Sequence, residues 1–187
     1  MRKASFVVPF LFGVALAACG PDNGLGFYAG GNVRATVTDN GVTTTGFDIA
    51  QSSRVDPTLP SGATTGFTGT CQIGPNGRSL RLQQVGGNSL GMTEMSLTMP
   101  AWDQDTCTNC LHGTLTTIIG GVTFTGTEQR GATTPTACTF TTDRRGSFGM
   151  QVHMGCTALS ATGDPRRVDI SSDLTLDECD GPSTNGP

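Results

Sequence analysis

The chain has 187 residues, a formal net charge of −4 and a single lysine, Lys3, so every later basic side chain except histidine is an arginine. Basic residues form no stripe: Arg144-Arg145 and Arg166-Arg167 are isolated pairs at expected turns, which argues against a phosphate-neutralising nucleic-acid surface. Past the N-terminal segment the chain is rich in Thr and Gly and has no amphipathic helical repeat. Its short Thr/Val/Phe runs between Gly, Asn, Asp and Pro point to an all-β fold.

The first nineteen residues have their own pattern. Arg2 and Lys3 precede an apolar run from Ser5 to Leu16, too short to span a bilayer as a mature helix, and small residues then lead to Cys19. Those parts match a secretory signal. Leu16-Ala17-Ala18-Cys19 resembles the lipobox of bacterial lipoproteins. The resemblance implies removal of residues 1–18, a diacylglyceryl thioether on Cys19 and acylation (palmitate) of the new amino terminus. It also implies a membrane partner reached through the anchor. Gly20 follows the cysteine in place of the Asp that resembles an inner-membrane retention signal, which points to an outer-membrane lipoprotein of the cell envelope.

Cysteine parity agrees with that assignment. Of seven cysteines, Cys19 carries lipid and six remain as disulfide candidates: Cys71, Cys107, Cys110, Cys138, Cys156 and Cys179. An even set in an exported chain reads as disulfides, with 15 possible connectivities for six. Cleavage leaves about 170 residues, enough for one domain with a sizeable core.

Residues 19–31 read as the lipidated cysteine and a Gly-rich flexible tether, and 32–179 as a single β domain. Asn32 to Thr38 and Val42 to Ile49 flank Asp39-Asn40-Gly41, a hairpin signal. Val33, Ala35 and Val37 then share a face with Val42 and Thr44, and Phe47 and Ile49 join it only if Gly46 forms a bulge. Gln51 to Ala63 reads as a loop. The next hairpin pairs Thr65–Ile73 with Arg78–Val85 and places Cys71 in the core with Leu80 and Leu82. Met95, Leu97 and Met99 alternate inward on the following strand.

After the loop that ends at Asn109, Leu111 to Ile119 and Val122 to Thr127 form a hairpin about Gly120-Gly121. Leu115, Thr117, Ile119, Val122 and Phe124 occupy its inner face, and His112 falls with the threonines outside. Cys138 to Thr142 and Ser147 to Cys156 pair with Phe140 opposite Met150 and Cys138 opposite Val152. Phe148, Met150, Val152, Met154 and Cys156 line the core face, and His153 points out. Val168, Ile170, Leu174 and Leu176 alternate inward on the last strand, and 180–187 reads as a disordered tail. About ten short antiparallel strands make a disulfide-stapled two-sheet β-sandwich, with a closed β-barrel as the alternative.

The stretch from Trp102 to His112 concentrates the chemistry-bearing residues. Asp103, Asp105, Cys107, Cys110 and His112 are metal-ligand types, but no second Cys-x-x-Cys or His pair completes a zinc set. Asp-x-Asp alone supplies too few oxygens for calcium. A disulfide-braced loop is the expected state, with no cofactor. Glu94 and Glu128 are the carboxylates of glycosidase type, yet no nucleophile motif accompanies either, so no catalytic residue is assigned. The sequence reads as a lipid-anchored envelope protein with a non-enzymatic binding or structural role toward an envelope protein partner. A metal-dependent binder or enzyme using the 102–112 loop is the alternative.

Overall fold

In the computed structural model, residues 26–37, 42–74, 77–100, 109–132, 136–145 and 148–179 are described. Ten strands run in chain order: β1 (Phe27–Val37), β2 (Val42–Val55), β3 (Gly66–Gly74), β4 (Gly77–Val85), β5 (Met92–Met99), β6 (Cys110–Ile119), β7 (Val122–Arg130), β8 (Cys138–Arg145), β9 (Gly149–Ala161) and β10 (Asp164–Asp177). They form two five-stranded antiparallel sheets, ordered β2-β1-β10-β9-β8 and β3-β4-β5-β6-β7. Neither closes on itself, so the fold is a sandwich and not the alternative barrel.

Period-two alternation builds the core, because successive side chains on a strand leave opposite faces. Val33, Ala35, Phe47 and Ile49 from one sheet and Leu80, Leu82, Met95, Leu97, Met99, Leu115 and Phe124 from the other are all buried. The pairing register shifts between Val33/Phe47 and Arg34/Thr45, so Gly46 is the bulged residue that lets Phe47 and Ile49 turn inward. A Cβ on Gly46 would lie 2.6 Å from Met92 Sδ, so glycine is needed for packing as well.

Several expectations are corrected. β1 starts at Phe27, so Phe27–Gly31 belongs to the sheet where a flexible tether was expected. β2 runs on to Val55, because residues 51–55 continue to pair with β1 where a loop was expected. On β8–β9, Cys138 faces Cys156 and Phe140 faces Met154. The register therefore slides by an even number of residues, which keeps every face and sets the two cysteines directly opposite one another. β9 begins only at Gly149, and Phe148 is 53% exposed instead of lining the core.

Cys71–Cys179 and Cys138–Cys156 are disulfides, at sequence separations of 108 and 18. The first ties β3 of one sheet to the residue pair just beyond β10 of the other. The second is a cross-strand pair within one sheet. Among the described residues no helix is long and apolar enough to cross a membrane.

Candidate functional site

The expected ligand loop is only partly within the described residues. Trp102, Asp103, Asp105 and Cys107 lie outside them, as do Cys19 and the 180–187 tail. Cys110 is disulfide-bonded, and a disulfide sulfur lacks the thiolate charge that zinc binding requires. Asn109, just before β6, has φ of 59°, the left-handed region that asparagine tolerates.

His112 is the largest departure from the sequence pattern. Leu111 pairs with Gln129 and Gly113 with Glu128, so His112 is the extra residue of a bulge at the start of β6. The bulge exchanges the faces: Leu111 turns out and is 45% exposed, while His112 turns in and is 1% exposed. Strict alternation had placed His112 outside.

The inward ring meets Glu128 of β7, with Nδ1 3.0 Å from Oε2. A carboxylate only accepts hydrogen bonds, so Nδ1 carries the proton in this pair. The same Oε2 accepts the backbone N–H of Phe140, on the edge of β8 in the other sheet. Arg130 lies 3.7 Å from Glu128 Oε1. One carboxylate thus joins β6, β7 and β8 across the seam between the sheets. His112 Nε2 is buried with no hydrogen-bond partner. Gly113 and Gly126 make this approach possible. A Cβ at Gly113 would sit 2.5 Å from the Phe140 ring, and one at Gly126 would sit 2.3 Å from Cys138 Sγ.

Chemically this is a fastening. A histidine this buried cannot touch a substrate, and among the described residues no three His, Cys, Asp or Glu side chains converge on a metal position. Sequence reasoning missed the role of Glu128 because it ended the strand at Thr127 and read a loop from Glu128, whereas β7 runs on to Arg130 and its parity turns Glu128 inward.

Elsewhere the candidate groups are dispersed. Glu94 sits on the outer face of β5, where Arg81 donates to both of its oxygens at 2.9 and 3.0 Å and Gln83 adds a third bond. The Arg81 hydrogen bonds hold the Glu94 carboxyl below the ordinary glutamate range. Glu94 and Glu128 therefore occupy opposite faces of one sheet and make no catalytic pair. His153 points outward as expected and lies 3.4 Å from Asp173.

The outer face of the first sheet carries a shallow hollow of about 260 Å³ among Arg34, Thr36, Thr43, Thr157, Asp169 and Ser171. Thr36 and Thr43 hydroxyls bond each other at 2.7 Å, and Asp169 accepts the Ala158 N–H at 2.7 Å. Its volume falls below the roughly 300–1,000 Å³ of pockets that enclose small ligands.

Comparison with protein-family models, curated proteins and solved structures yields no match.

Proposed function

We propose that the chain is a lipid-anchored cell-envelope protein, held in the outer membrane by acyl chains on Cys19, whose β-sandwich serves a binding or structural role without catalysis. The observation that carries this reading is Leu16-Ala17-Ala18-Cys19 directly after a positive and apolar leader. Two buried disulfides in the domain accord with export to an oxidising compartment. Two or more acyl chains anchor stably where one binds only marginally, so the domain needs no spanning segment of its own. An envelope protein is the kind of partner such a tethered, rigid domain meets.

Mass spectrometry of the native protein tests the anchor. The expected result is an amino-terminal Cys19 bearing diacylglyceryl and N-acyl groups, together with loss of the Cys19→Ala variant from the membrane fraction. An intact leader, or an unmodified thiol at Cys19, overturns it.

A further inference from the structure

The two ends of the sandwich are unlike. At one end of the first sheet lie the start of β1, the end of β10 and the start of β9. The Cys71–Cys179 bridge, two residues beyond β10, ties this end to β3 of the second sheet. The opposite end carries the Gly120-Gly121 turn, with the Arg166 guanidinium over the Phe124 ring.

Three large hydrophobic side chains are exposed among the described residues: Phe148, Leu111 and Val85. Phe148 lies at the end where β1 begins, and Leu111 and Val85 lie at opposite ends of the second sheet, at the start of β6 and the end of β4. The position of Phe148 is fixed by its backbone, because its carbonyl accepts the Cys179 N–H at 2.8 Å. Tyr28 pairs with Asp177, so Phe27 and Phe148 stand level, two strands apart. At sheet spacing that is roughly 10 Å. The chain from Cys19 thus enters the domain beside an exposed phenylalanine.

We propose that this end docks on the bilayer, with Phe148 entering the boundary between headgroups and acyl chains. The proposal rests on the Cys19 anchor. Seven residues lie between Cys19 and Phe27, so eight residue steps give a reach of at most about 28 Å. β10 has 14 residues, and a strand of that length extends roughly 45 Å. An inverted domain would hold Phe27 farther from the bilayer than the tether reaches. Charge at this end is mixed: Arg54 is paired with Asp56, Arg144 and Arg145 end β8 beside Phe148, and Asp177 and Glu178 are acidic. The attraction is apolar and local.

The test uses the natively acylated protein, with Trp102 changed to Phe, in phosphatidylcholine–phosphatidylethanolamine vesicles whose acyl chains are brominated or plain. Tryptophan is placed singly by Phe148→Trp or by Thr162→Trp, the latter in the exposed turn between β9 and β10 at the opposite end of the first sheet. Emission from position 148 is expected to fall about twofold in brominated vesicles, as for a ring roughly 5–10 Å below the headgroups. Position 162 should show none. Protein that floats with the vesicles yet shows no more quenching at 148 than at 162 overturns the docking and leaves the anchor standing. Protein that fails to float and carries an unacylated Cys19 overturns both.

Discussion

At the β2–β3 side the sheets meet through the main chain: the Gly69 N–H donates to the Asp56 carbonyl at 2.9 Å, and Asp56 and Thr68 form a parallel bridge. Phe47 and Phe67 pack edge to face there, with centroids 5.5 Å apart, and the Cys71–Cys179 bridge adds a covalent tie between the sheets. At the β7–β8 side the nearby disulfide, Cys138–Cys156, stays within one sheet, and the described link across the seam is the Glu128 side chain. A main-chain bond survives most substitutions of the residues that make it. A side-chain bond does not, and here one carboxylate satisfies two buried donors at once. The β7–β8 seam is therefore the more sensitive to sequence.

The largest expected effect comes from the covalent tie. Replacing Cys71 and Cys179 together by Ser should destabilise the domain by about 5 kcal/mol, against about 3 kcal/mol for Cys138 with Cys156, because the longer loop gains more freedom in the unfolded chain. Denaturant unfolding of the two double variants measures the gap. A larger cost for the 138–156 pair would reverse the ranking.

Glu128→Ala comes next. It strands the His112 Nδ1–H and the Phe140 N–H in a buried seam, an expected loss of about 2–3 kcal/mol. Thr68→Ala on the opposite side keeps its main-chain bridge and should cost less than about 1 kcal/mol. Equal losses in the two variants would show that the seams are closed alike. Gly126→Ala tests the close approach at the same seam: its methyl group must displace Cys138 Sγ or the Leu159 side chain, for about 1–3 kcal/mol of overpacking. Thermal melts resolve a change of that size.

Arg81→Ala should have the smallest effect. The Arg81 side chain is 53% exposed, and exposed pairs are worth at most about 1 kcal/mol. The sign is nevertheless defined. Glu94 is held below its unfolded value, so the pair stabilises the fold above the ordinary glutamate pKa, and that contribution is lost as pH falls through the lower folded value. Melting temperatures of the parent and Arg81→Ala proteins should differ near neutrality and converge in acid. A constant difference across pH would assign the effect to packing.

Much of the fold was legible because each strand carries its own alternation. Val33, Ala35, Leu80, Leu82, Met95, Leu97, Met99, Val168, Ile170, Leu174 and Leu176 are buried where period two placed them. The Gly46 bulge was legible as well, since only an extra residue reconciles Val33 with Phe47 on one face. The seam was not. His112 and Leu111 exchange faces through a bulge that no apolar residue on β6 demands, and Glu128 gains its meaning only from the edge of a strand that follows it in the chain. Phe148 kept the parity of a core residue, yet β9 begins one position beyond it.

By itself, then, the sequence determined the class, the inward set of each strand and the cysteines available to bridge them, because alternation and turn chemistry act within a few residues. Tertiary structure decided the sheet order, the sliding of β8 against β9, the inward turn of His112 and the exposure of Phe148. Those depend on which edges come together, and an edge meets its partner across tens of residues of intervening chain.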